Sequence, residues 1–210
     1  MLFAMTPPAR AQGFVPECRI QRLAETPALR ETTGALGMPP RHLSAEEIER
    51  TAECLVPALD RAFAAANDRA IRSVRDWLRM SRSYKASEHG TFLQVFADRR
   101  AAPSYVRYEQ GAPMTEGAII IKRAFRVEAD GRARAHRIYV MEKMPAGYEP
   151  ALHDWRFAAY EPNGTPVGET GGRNDARVRF CAECHAAARE QDFLIYVPPA
   201  YRIPADATQR

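Results

Sequence analysis

The 210-residue sequence predicts an α+β fold: N-terminal helices, then a mainly antiparallel β-sheet domain, then a C-terminal helix. Three observations predict it. Apolar residues recur at helical spacing between residues 44 and 80; four short β-rich runs alternate with turn residues between 91 and 160; and helix-forming residues return from Phe180 to Gln191. The chain is 46% hydrophobic and 27% charged with a mean hydropathy of −0.42, which excludes a disordered tail and a membrane-embedded protein. No apolar run approaches the roughly 18 residues a membrane span needs, so none is expected. The net charge is +4, but 26 acids are interspersed among 30 bases without a basic block, so no nucleic-acid partner is expected.

Taken in order, Leu2-Phe3-Ala4-Met5 reads as the end of an apolar export-signal core and Ala9-Arg10-Ala11 as a small-x-small cleavage site. Residues 1–11 are therefore expected to be the remnant of an export signal, with a mature periplasmic chain beginning near Gln12 and a true start further upstream. Residues 12–80 form a wrapping segment and a helical pair; residues 81–210 form the β domain. The stretch 12–43, rich in Pro, Gly and Thr, is irregular. Ser44-Ala45-Glu46-Glu47 is a capping box, and Ile48, Ala52, Leu55, Ala58 and Ala62 continue a helix over about 45–66, kinked at Pro57. Asn67-Asp68 restarts the chain, and Ile71, Val74, Trp77 and Leu78 predict a second amphipathic helix to about 80. In an oxidising compartment Cys18 and Cys54 would pair and pin the wrapping segment to the first helix; the alternative is two inert buried thiols.

Strands are expected at Thr91–Phe96, Ala118–Lys122, Arg137–Met141 and Trp155–Tyr160, separated by Glu116-Gly117, Asp130-Gly131, Pro145-Ala146-Gly147 and Asn163-Gly164. Short connections between short strands argue an antiparallel meander. Phe180 to Gln191 is helix-compatible, and Phe193–Val197 is a last apolar stretch.

The helix-compatible segment carries Cys181-Ala-Glu-Cys184-His185, the spacing of c-type haem attachment. On a helix the three side chains share a face, so both thiols can bond a porphyrin edge while His185 reaches the iron. A zinc site, needing two more ligands, and a thioredoxin-like redox pair, needing a βαβ context, are the competing readings. The 25 residues after His185 contain neither Met nor His, so a sixth iron ligand would have to come from Met114, Met141, Met144, His89, His136 or His153. The simplest expectation is one covalently attached haem with an open distal position, which implies small-molecule chemistry rather than pure electron transfer.

A C-terminal haem motif behind a β-sheet resembles the cytochrome P-460 family, which includes the cytochromes c′-beta. The matching pieces are Trp77 with Tyr84–Gly90, Phe92 to Asp98, Met114–Lys122, Val140–Met144, Gly147–Pro150, Asp154-Trp155, Cys181 to His185, and Asp192-Phe193, spanning roughly residues 75–197. The resemblance implies a homodimer of mostly β subunits, each with one c-type haem in an apolar pocket. In the enzymes of the family a lysine is bonded to a porphyrin meso carbon and hydroxylamine is oxidised; that lysine carries over onto Lys122. The c′-beta relatives lack the link and bind nitric oxide or similar gases.

Read from the residues alone, Ala118, Ile120 and Lys122 share one strand face and Ile119 and Ile121 the other. A cation ending an apolar run ordinarily marks where a strand leaves the core. Only three of the 30 basic residues are lysines, however, and only a primary amine can lose its charge and attack carbon. Lys143 is the rival, read as a solvated charge beside Pro145. Hydroxylamine oxidation also needs a proton acceptor; Glu142 and Glu88 are the nearest carboxylates by motif, each read as a surface charge. Phe92, Phe96, Tyr139, Trp155 and Phe157 are expected to line the core, with one or two over the haem; His89 is read as a loop residue, with a hydrogen bond near the haem as the alternative, and Asp192 as a residue that caps or orients the haem helix.

The resulting expectation is an exported monohaem c-type cytochrome with an open iron, oxidising a small nitrogen compound such as hydroxylamine. Cys181 and Cys184 are the anchors, His185 the iron ligand and Lys122 the cross-link. Its partners would be the substrate or a gas ligand, a redox protein and a second copy of the chain. The alternatives are a non-catalytic binder of nitric oxide or carbon monoxide, and an electron carrier.

Overall fold

The computed structural model describes residues 17–25, 43–74, 76–87 and 90–204. The expected export remnant, most of the wrapping segment, and both Glu88 and His89 lie outside the described residues.

After the short helix α1 (Gln21–Glu25), helix α2 runs from Ala45 to Ala65 and continues through Pro57. Its capping box forms as expected: Ser44 Oγ accepts from the Glu47 amide at 3.1 Å, and Glu47 Oε2 accepts from the Ser44 amide at 2.9 Å. Ala52, Leu55, Leu59 and Ala62 bury one stripe of the helix. Cys18 and Cys54 are disulfide-bonded, with Cα atoms 5.8 Å apart. Cys18 O also accepts from Ala133 N, and Ile20 N–H donates to Gly131 O, so the 17–25 segment is tied both to α2 and to the far end of a sheet hairpin.

The second helix is much shorter than its periodicity predicts. Helix α3 spans only Arg69–Ser73, and the chain then enters strand β1 (Leu78–Arg79), which pairs with the end of β3. Trp77 still points inward, edge-on to Phe63 at 5.7 Å. Ile71 is buried and Val74, Trp77 and Leu78 are half-buried against the core, but pairing with a sheet edge wins over helical propensity once those edge groups need partners.

Seven strands form one antiparallel sheet: β1, β2 (Lys85–Ala86), β3 (Phe92–Ala97), β4 (Ile119–Val127), β5 (Ala133–Lys143), β6 (Trp155–Tyr160) and β7 (Pro166–Glu169). The order is β1-β3-β4-β5-β6-β7, with β2 also paired to β3. The central hairpin is longer than expected, because β4 continues five residues past Lys122. Arginines disguise that continuation. Arg123 turns to the helical side, where it meets Asp60 of α2 at 2.7 Å and lies over the Phe96 ring at 4.8 Å.

Alternation sorts the sheet into two faces. Phe92, Ile119, Ile121, Phe125, Ile138 and Val140 pack towards α2 and α3. Leu93, Val95, Ile120, Ala124, Met141 and Phe157 face the other way, against helix α4 (Ala102–Tyr105) and the tail residues Phe193, Leu194 and Val197. Ala118 and Ile120 thus lie opposite Ile119 and Ile121, as the pattern predicts.

The Asn163-Gly164 turn docks on the end of α2. Gly164 has φ +84°, and a Cβ there would lie 2.1 Å from Ala65 O. Gly164→Ala is therefore expected to cost about 1–3 kcal/mol, read as a fall of about 2–12 °C in melting temperature. An unchanged melt would show that the turn does not bear on the helix.

Candidate functional site

The sheet face turned away from α2 is the floor of a cleft of about 840 Å³, counted out to its open mouth. Leu93, Val95, Ile120, Met141, Phe157 and Val197 make its walls apolar, and Lys85, Lys122, Tyr139 and His185 bring polar atoms to it.

Helix α5 (Arg179–His185) supplies one wall. Cys181 and Cys184 carry free thiols and line the cleft with His185. Burial pushes the Cys181 thiol up to about 11, so it is protonated at neutral pH. A thioredoxin-like pair needs the opposite, a thiol whose pKa is lowered.

The helix does not continue to Gln191 as its three alanines suggest. After His185 the chain tightens into 3-10 geometry over Ala186–Gln191, interrupted at Ala188 (φ −113°, ψ 28°), and reverses at Asp192 and Phe193, both left-handed with φ 54° and 61°. A straight α-helix would carry residue 193 about 12 Å beyond His185 at 1.5 Å per residue. The reversal instead returns the Phe193 carbonyl to 2.6 Å from His185 Nδ1. A carbonyl can only accept, so Nδ1 holds the proton and Nε2 is the ring nitrogen turned towards Lys122. His185 is 8% exposed, and the Phe157 ring packs 5.3 Å from it.

Lys122 enters from the floor. It sits mid-strand, opposite Val95 on β3 and Tyr139 on β5, not at a strand exit. Its Nζ lies 3.4 Å from His185 Nε2. Cys181, Cys184, His185 and Lys122, distant in sequence, are thus gathered in one cleft. Burial raises the Tyr139 hydroxyl to about 12, so it keeps its proton and can act as a donor.

Other expected residues are distributed differently. Of the described candidates for a further iron ligand, Met141 lines the cleft. Met114 is buried in the adjoining core, Met144 Sδ meets Arg69 at 3.6 Å, and His153 lies 3.4 Å from Asp192. His136 is on β5, where burial lowers its pKa. Tyr139 and Phe157 line the cleft, Trp155 is fully buried beside it, and Phe92 and Phe96 pack on the opposite side of the sheet.

Two charges read as solvated are drawn inward, Glu142 buried and Lys143 half-buried. Glu142 is 9% exposed and binds Arg156 at 2.9 Å on the α3 side of the sheet, away from the cleft. Lys143 is bonded to Asp192 at 2.6 Å, with side chains 12% and 5% exposed, and its ammonium lies 4.9 Å from the centre of the Trp155 ring. Both sit on the end of β5, where strand pairing with β6 keeps them inside. Sequence reasoning also passed over Lys85, whose signal was its rarity: two of the chain's three lysines line this cleft.

The donor set fits haem. Among the described residues no three His, Cys, Asp or Glu side chains converge to hold a free metal ion. A porphyrin brings four nitrogens of its own, so a single oriented imidazole, two thiols on the same helix and an apolar cleft meet its needs. The described residues also contain no helix long and apolar enough to cross a membrane. The family model described as Cytochrome P460 matches residues 71–196, more than half of the chain, including the whole sheet, Lys122 and the Cys-x-x-Cys-His segment. No curated protein matches the chain.

Proposed function

The chain belongs to the cytochrome P460 family, and from that premise we propose that it is an exported monohaem c-type protein that oxidises a small nitrogen compound, hydroxylamine first. Family membership implies a haem cofactor. Bound in this cleft, haem would supply a one-electron iron centre with an exchangeable coordination position. The Cys181 and Cys184 thiols would anchor it covalently, and His185 Nε2 would ligate the iron. Lys122 is assigned the family's porphyrin link.

The observation that carries this reading is the approach of Lys122 Nζ to His185 Nε2 at 3.4 Å, in the cleft that both thiols line. The apolar walls would exclude water and strengthen the field of the few polar groups inside. Tyr139, kept protonated by burial, would donate to a polar ligand rather than repel it. The Cys18–Cys54 disulfide supports an oxidising compartment, and hence the periplasm. A homodimer and a separate redox partner follow from the family resemblance; the mass in solution tests the first.

The holoprotein, purified from a host that matures c-type haem, is expected to reduce an artificial electron acceptor when hydroxylamine is added. The apolar walls equally favour a second reading, a binder of nitric oxide or carbon monoxide. Rapid nitric oxide binding without hydroxylamine turnover would establish that reading instead. A six-coordinate low-spin spectrum in both redox states would point to electron transfer.

A further inference from the structure

The carbonyl that orients His185 belongs to a turn the backbone does not favour. Asp192 and Phe193 are consecutive non-glycine residues in the left-handed region, with φ 54° and 61°, a conformation that L side chains disfavour. Phe193 bears the larger side chain, is fully buried, and carries the acceptor. Something must hold this pair in place, because local preference would release it.

The restraints converge on Asp192, and they come from three separate parts of the chain. Its carboxylate accepts from the Met114 amide at 2.8 Å and from Lys143 Nζ at 2.6 Å, and His153 Nδ1 lies 3.4 Å from the same carboxylate. Its backbone carbonyl accepts from Trp155 Nε1 at 2.8 Å. Lys143 ends β5 and Trp155 begins β6, and the two are register partners. The turn that fixes the imidazole closes on the 3-10 segment behind it, where the Asp192 and Phe193 amides donate to Arg189 O at 3.0 Å and Ala188 O at 2.9 Å, and its side-chain restraints bolt it to the sheet.

We propose that the half-buried Lys143 and the buried Asp192 form an ion pair that positions the His185 imidazole, through the Phe193 carbonyl, as an Nδ1–H tautomer aimed into the cleft. Both are positioning residues; neither touches the ligand. Such a pair is specific in this role because removing one partner strands the other charge and frees the turn. The restrained Nδ1–H bond in turn sets the orientation and basicity of the Nε2 donor. Its consequence at iron rests on the haem reading proposed above.

The test uses the full chain as purified, in wild-type form and as Lys143→Met, Asp192→Asn and Lys143→Arg. Mass spectrometry first reports whether haem is attached. Proton exchange at His185 Nδ1 is then followed by NMR in the ferrous carbon monoxide complex, and the iron–histidine stretch by resonance Raman in the ferrous state. In Lys143→Met and Asp192→Asn, exchange is expected to rise at least tenfold and the stretch to fall and broaden, while Lys143→Arg stays close to wild type. Asp192→Asn keeps the shape of the side chain and carries the test should Lys143→Met fail to fold. Variants that exchange this proton at the wild-type rate would overturn the proposal. Absence of attached haem would overturn the haem reading alone, since Nδ1–H exchange is measurable in the same chain without it.

Discussion

In Lys122→Arg, the ferrous holoprotein is expected to lose a strongly red-shifted Soret band that the wild type shows. The argument begins with placement. Lys122 projects from the middle of β4 onto the cleft floor, between Val95 and Tyr139 in register, with its Nζ 3.4 Å from His185 Nε2. An amine held there is in reach of whatever His185 binds. Arginine preserves the positive charge but stays protonated at every accessible pH and offers no nucleophilic amine. The substitution therefore separates the field of a cation from the chemistry of a primary amine. Hydroxylamine turnover is expected to fall at least about tenfold, corresponding to about 1.4 kcal/mol in barrier, while thioether attachment through Cys181 and Cys184 persists. Ordinary five-coordinate c-type spectra from both proteins would eliminate the link and move gas binding ahead.

The largest stability effect is expected on the opposite side of the sheet. Arg156 is a buried guanidinium that meets Asp68 at 2.8 Å, Glu142 at 2.9 Å and Glu169 at 2.9 Å. Asp68 also accepts from the Tyr160 hydroxyl at 2.6 Å and from the Ala70 and Ile71 amides at the start of α3. One carboxylate thus joins a helix start to strand β6. Arg156→Met would leave buried anions without their cation, at a cost of roughly 3–5 kcal/mol. In a chain of this size the melting temperature would drop by about 6–20 °C.

The same network predicts an acid dependence. Burial by itself would raise the Asp68 carboxyl, but the hydrogen bonds from Tyr160 and Arg156 outweigh it and hold the group below its ordinary value. A carboxyl whose folded pKa lies below its unfolded one contributes stability that is fully present above the unfolded value. That contribution is lost as pH falls through the folded value. Removing Arg156 leaves the burial contribution less opposed and lifts the folded value, so the fall in unfolding free energy with acid, followed by circular dichroism at a series of pH values, should be shallower in Arg156→Met than in wild type. Asp68→Asn should lose this part of the dependence altogether. Identical acid limbs in all three proteins would mean that Asp68 is not the group being titrated.

Much of the site was legible because its signals are local. The Cys181–His185 spacing depends only on helix geometry, and α5 holds it as a helix. The Ser44–Glu47 box reads as a helix start because both of its hydrogen bonds lie within one turn. Period-two alternation sorted Ala118 and Ile120 from Ile119 and Ile121 before any strand partner was known, and it put Lys122 on the face of Ala118 and Ile120, which the fold turns towards the cleft. The Cys18–Cys54 pairing, expected for an oxidising compartment, is present in the fold.

What could not be read from the sequence depends on partners distant in the chain. Val74, Trp77 and Leu78 carry a helical period, yet β3 draws Leu78 into a strand. The alanines after His185 favour helix, yet the chain reverses so that Phe193 can accept the imidazole proton. Lys143 and Glu142 look alike as charges at the end of a strand. Their roles come from Asp192 and Arg156, respectively 49 and 14 residues away.

By itself, then, the sequence determined the α+β class, the strand faces, the capping box and the thiol and imidazole set, since each is written in neighbours a few residues apart. The tertiary structure alone decided where helices stop, which lysine meets His185 and which is bound to Asp192. Those outcomes turn on satisfying buried charges and backbone groups, and the groups that satisfy them are brought together only when the sheet closes over its core.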